Sequence, residues 1–208
     1  MEAGAETLFE QRPYTEAAFA LLSSIDGQQM ADDFSPTATW HVTGVNWFGR
    51  FEHIDASTPH RFRIGFHTAI SSGIASAPFQ QFTVTPVRSA GFNPPGAAAH
   101  VSSFAAVIPP VALEANQRVW LSIVDLDPVQ LEPPLGSRFV WQESSVARLE
   151  GDWGTRGSEG ADWVVSNGGN LAFRLEGVVV PEPETMTLLM LGAVLTVVFV
   201  RRRPAEKA

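Results

Sequence analysis

Cysteine is absent from the 208 residues, which excludes disulfide bridges, thiolate metal sites and a cysteine nucleophile without identifying a compartment. Lysine is nearly absent as well. Of the 14 basic residues only Lys207 is a lysine, and the arginines are scattered apart from Arg201, Arg202 and Arg203. With a formal net charge of −8 and no basic patch, the chain lacks the electrostatic footprint of a nucleic-acid binder. Charged residues make up only 17% and hydrophobic residues 45%, which excludes a chain too polar to bury a core.

What is abundant points to β structure. Seventeen glycines and 15 prolines suit a turn-rich chain better than a helical bundle. The length suits one domain with a genuine core and little more than an appendage besides.

Alternation supplies the strands. In residues 62–70, Phe62, Ile64, Phe66, Thr68 and Ile70 fall on one face, and Arg63, Gly65, His67 and Ala69 on the other, so His67 is expected on a polar face. Further strands are expected over residues 28–34, 39–51, 79–84, 101–107, 118–124, 139–144, 163–166 and 171–179. Turns separate them at 93–96, 132–136 and 167–170; the last, Asn167-Gly168-Gly169-Asn170, reads as a hairpin loop. Residues 15–23 are rich in alanine and leucine and predict a helical turn or two capping the domain. The expectation is an all-β fold over residues 1–180, an antiparallel β-sandwich of jelly-roll type, with a closed barrel as the alternative.

The composition changes near residue 181. Residues 185–200 carry no charge and are followed at once by Arg201, Arg202 and Arg203. As a helix this run spans about 24 Å, short of a hydrocarbon core of about 30 Å. Snorkelling arginines and local thinning make up the difference. The stretch is apolar on all sides rather than along one stripe, which favours a single transmembrane helix over a buried core helix. The arginine cluster then stays cytoplasmic and places residues 1–180 on the opposite side. Pro181 and Pro183 disfavour helix at the entry, so residues 180–183 are expected to be extended and open to a processing enzyme.

The order Pro181-Glu182-Pro183, uncharged span, arginine stop resembles the PEP-CTERM sorting signal of exopolysaccharide-producing Gram-negative bacteria. The resemblance covers residues 181–208 as a second unit after the globular domain. It implies an exported protein that passes through an inner-membrane intermediate, has an exosortase as partner, and ends at the cell surface or in the matrix. Residues 171–177 resemble the last strand often found before this signal. Gln28-Gln29-Met30-Ala31-Asp32-Asp33-Phe34 and Val45-Asn46-Trp47-Phe48-Gly49 resemble opening strands of domains that carry it. The chain opens with acidic residues and no basic n-region before an apolar stretch, so the secretory leader that export calls for is not seen in it. The leader lies upstream of Met1, has been removed, or is replaced by another route.

Chemistry is sparse. The chain has no Gly-x-Ser-x-Gly elbow, no His-Glu-x-x-His pair, no phosphate-binding glycine loop and no EF-hand spacing. His41, His53, His60, His67 and His100 form no ligand spacing. No catalytic residue and no cofactor is expected. Asp125 and Asp127, and less so Asp32 and Asp33, are the carboxylates able to offer oxygen to calcium at a strand end, although capping and solvation account for most such pairs. Trp153 and Trp163 sit in or beside the glycine-rich stretch 151–157, expected as a loop, where exposed rings would stack on sugar faces; the other tryptophans read as core. The globular part is thus expected to be a non-catalytic structural or carbohydrate-binding module that contacts exopolysaccharide. The alternatives are a surface enzyme acting on polysaccharide and a permanently anchored single-pass membrane protein.

Overall fold

The computed structural model describes residues 5–13, 20–25, 27–52, 59–71, 73–92, 100–127, 138–144, 152–167 and 169–181. Among them run fourteen strands and no helix. In chain order these are β1 (Glu6–Gln11), β2 (Ala20–Leu22), β3 (Gln29–Phe34), β4 (Trp40–Glu52), β5 (Phe62–Ile70), β6 (Gly73–Ile74) and β7 (Gln80–Val84). They continue as β8 (Val87–Phe92), β9 (Val101–Leu113), β10 (Val119–Asp125), β11 (Arg138–Gln142), β12 (Asp152–Arg156), β13 (Val164–Asn167) and β14 (Phe173–Val179).

The strands form two seven-stranded sheets in which every ladder is antiparallel. The 13-residue β4 organises the first sheet. On one edge it pairs with β14 and then β11, and on the other with β9. Beyond these, β1 pairs with β14, β2 with β11, and β8 with β9. The second sheet runs β13-β12-β3-β10-β5, with β6 and β7 sharing the outer edge of β5.

Side chains from both sheets meet in one core. Trp47 of β4 lies edge-on to Phe62 of β5 at 5.2 Å between centroids, and Phe34 of β3 meets Phe173 of β14 at 5.8 Å. Phe139 of β11 closes against Phe62 at 4.9 Å. All five rings are buried, each burial contributing roughly 1.5–3 kcal/mol. The expected alternation in β5 holds at Phe62, Ile64 and Phe66, all fully buried.

Its opposite face differs from expectation: His67 is buried. Ile74 and Trp163 fold over the outer face of the second sheet and, with Ala31 and Trp120, make a second small core. Alternation cannot reveal a face that a distant segment covers, and β10 is accordingly buried along its whole length.

Three further expectations are corrected. Residues 20–22 form a strand rather than helix, because β11 offers them a free edge and that pairing overrides local propensity; residues 15–19 lie outside the described residues. The 167–170 turn is no hairpin: β13 pairs with β12 in the second sheet while β14 pairs with β4 and β1 in the first, so the chain crosses between sheets there. Residues 152–156 are a paired strand rather than a loop.

β9 also outruns its expected end at Val107, because β4 keeps pairing with it as far as Leu113. Its ladder with β8 stops at Ala105, and the exposed Pro109 and Pro110 withhold donors that an intruding strand would need on the open edge.

Candidate functional site

β14 is the strand that delivers the chain to the Pro-Glu-Pro region. It lies between β1 and β4, so its backbone is paired on both sides. Gly177 sits at a register shift against β4, where a Cβ would come 2.0 Å from the His41 carbonyl oxygen. Only glycine permits that approach. The last anchor is the Val180 N–H, which donates to the Thr39 carbonyl at 2.8 Å. Pro181 follows, exposed and outside any ladder. Glu182, Pro183, the 185–200 span and Arg201, Arg202 and Arg203 lie outside the described residues. Among the described residues no helix is long and apolar enough to cross a membrane.

A carboxyl group ties this strand to the rest of the fold. Asp32 of β3 is completely buried and accepts a hydrogen bond from the Leu171 N–H at 2.6 Å, two residues before β14. The Gln11 amide of β1, oriented with its nitrogen toward Asp32, donates to the same oxygen at 2.7 Å. Burial pushes the Asp32 pKa well above the carboxylate range, against the two backbone N–H groups of Leu171 and Asp33.

Trp163, expected to present an open ring, is buried. Arg156 lies over it at 4.6 Å and His67 meets it edge-on at 5.4 Å. His67 Nδ1 faces the Ala75 carbonyl at 3.0 Å and therefore donates, leaving Nε2 to accept from the Ser122 hydroxyl at 2.9 Å. Burial lowers its pKa to about 4, with Arg156 and Arg63 adding to the effect. Trp153 is half-buried on β12, packed against the main core beside Gly169.

The calcium candidates are engaged elsewhere. Asp127 takes the Arg61 guanidinium on both oxygens and the Arg61 N–H at 2.9 Å; hydrogen bonding to that side chain holds its pKa near 2. Asp125 is buried, with Oδ1 3.0 Å from His60 Nδ1 and accepting from the Asp127 N–H at 3.1 Å. Asp33 is paired with Arg118, which also reaches Asp152. His41 and His100 are exposed, and His53 lies outside the described residues. No group of three potential metal ligands occurs among the described residues.

Sequence reasoning missed a groove of about 620 Å³ on the outer face of the first sheet. Its floor is Gly44, Ala105 and Ala106, and its walls carry Thr43, Asn46, Thr83 and Thr85, with Val107 88% exposed at the rim. The available signal was Asn46, a polar residue placed between the inward-facing Val45 and Trp47.

Residues 179–203 match the family model of the PEP-CTERM protein-sorting motif, and the chain carries that signal. No curated protein and no solved structure matches the chain.

Proposed function

From a sorting motif that begins at the last residue of β14, we propose an exported surface protein whose tail an exosortase recognises and cuts, releasing a non-catalytic β-sandwich to the cell surface or matrix. The motif itself implies export to the cell envelope and an exosortase as processing partner. The observation that carries the reading is the junction. The sandwich is hydrogen-bonded through Val180, and the motif's first proline is exposed directly after it.

Each part of the tail then has a physical task. Residues 185–200 form the transmembrane helix, Arg201, Arg202 and Arg203 stop it at the cytoplasmic headgroups, and Pro181 and Pro183 keep the segment between sandwich and bilayer extended. An extended backbone is the form that a processing enzyme can engage. Cleavage beyond Val180 would leave every described strand in place, so the released module keeps its fold. Its role is structural or binding, with polysaccharide as the ligand class.

The test is to express the gene, with any upstream leader included, in a host with and without its exosortase, and to follow the tail by intact mass and fractionation. Loss of residues beyond the Pro-Glu-Pro region only when the enzyme is present is the expected result. An intact tail held in the membrane under both conditions would leave a permanently anchored sandwich and sink the sorting reading.

A further inference from the structure

We infer that the groove on the outer face of the first sheet is a binding site for a neutral glycan chain, an inference that rests on the binding-module reading above and gives it a location. The groove spans β14, β4 and β9 and is bounded by the turn joining β7 to β8. β4 is paired on both edges, with β14 and with β9, and the open edge of β9 beyond Ala105 runs into Pro109 and Pro110, which withhold donors, so the groove is a poor acceptor for an added peptide strand. What remains for a ligand is side-chain chemistry.

That chemistry is neutral and hydroxyl-rich. Thr43, Asn46, Thr83 and Thr85 make no side-chain hydrogen bond with another described residue. They offer three hydroxyls and an amide, groups that both donate and accept and so match the mixed hydrogen-bonding of sugar hydroxyls. Glu176 is the one charged side chain in the lining, and its carboxylate is paired with Arg174 at 2.7 Å. An acidic polysaccharide finds no free cation there, and a cationic ligand finds its carboxylate taken. The exposed Val87 and Val107 supply small aliphatic contacts for the C–H faces of pyranose rings.

Depth comes from the absence of side chains. A Cβ on Gly44 would meet Glu176 at 3.3 Å, and Ala105 and Ala106 keep the neighbouring strand low. The volume of about 620 Å³ falls within the range of roughly 300–1,000 Å³ typical of ligand clefts.

The experiment is affinity electrophoresis of the full chain in detergent micelles, through native gels containing hydroxyethylcellulose, dextran, galactomannan or xyloglucan, with alginate as an acidic comparison. Retardation by at least one neutral polymer is expected. Asn46→Ala and the groove-filling Ala105→Trp should each weaken it at least tenfold, with unchanged circular dichroism and melting. Both positions face solvent, and two unlike variants guard against misfolding of either. No retardation by any neutral polymer, retardation by alginate alone, or retardation indifferent to both substitutions would overturn the inference. A concentration-dependent dimer dispersed by Ala105→Trp would assign the groove to a second copy and overturn it too. Tail processing in the exosortase host is read separately, so the groove can fail while the sorting reading stands, and the reverse.

Discussion

Val180 donates its backbone N–H to the Thr39 carbonyl at 2.8 Å, and among the described residues that bond is the last one along the chain. It marks a division in the chain: the described strands all lie before it, while the sorting motif begins at residue 179, the last residue of β14. Truncation after Pro181 is therefore expected to leave the melting temperature and the far-ultraviolet spectrum of the sandwich unchanged. Limited proteolysis of the full chain should converge on a fragment ending just past Val180. A cooperative loss of structure on truncation would show that the tail is part of the fold.

Gly177 sets how β14 sits in that sheet. Gly177→Ala places a Cβ against the His41 carbonyl, a backbone atom that cannot step aside as a side chain can. Overpacking of this kind costs typically about 1–3 kcal/mol. Denaturant unfolding should register a loss in that range with an unchanged m-value, and an unaffected midpoint would refute the close approach.

Much of this fold was legible in the sequence because β14 and the core-facing residues Phe62, Ile64 and Phe66 of β5 alternate, as β4 does on either side of its bulge, and alternation is what a half-buried strand leaves behind. What was not legible has definite causes. The short β6 and the strands β2 and β12 owe their existence to an open edge or a covering layer rather than to local pattern. The burial of His67 and Trp163 follows from one segment closing over a sheet face, a relation between residues about a hundred positions apart in sequence. The tail was legible because three unlike elements follow one another in fixed order, whereas the groove was not, since its lining is gathered from five strands and the turns between them.

The placement of the tryptophans separates stability from ligand contact. Trp163 is closed in by Arg156 and His67, so Trp163→Ala should cost about 3–5 kcal/mol, the usual toll of emptying a buried aromatic site. Trp153 is half-buried and should cost less. Equal, negligible effects of both on thermal unfolding would indicate that the rings are exposed after all.

Buried Asp32 gives stability a slope that sets in as pH rises above the ordinary carboxylate value. Its pKa is raised in the folded state, so the native chain binds more protons than the unfolded chain, and stability falls as pH rises above the ordinary carboxylate value. Asp32→Asn removes the titration. The variant should gain ground on the parent as pH rises above the ordinary carboxylate value in denaturant melts, and parallel pH curves for the two proteins would contradict the assignment.

His67 acts at the acid end, with the opposite sign. Its pKa is lowered to about 4 in the fold because burial disfavours the imidazolium, while the unfolded chain titrates near 6.5. Above pH 6.5 both states are neutral and the full stability is present. As pH falls from 6.5 toward 4 the unfolded state takes up the proton first, and stability is lost over that window, amounting to about 3 kcal/mol by its lower end. Below pH 4 the folded state is protonated as well and this loss is complete. Protonation also puts a hydrogen on Nε2, which no longer accepts from Ser122, so the loss should report on the small core around Trp163. His67→Gln keeps hydrogen-bonding capacity without a proton to gain, and should flatten the stability curve between pH 6.5 and 4 whatever it does to the absolute value. A variant whose curve still falls over that window as steeply as the parent's would show that another group carries the acid sensitivity.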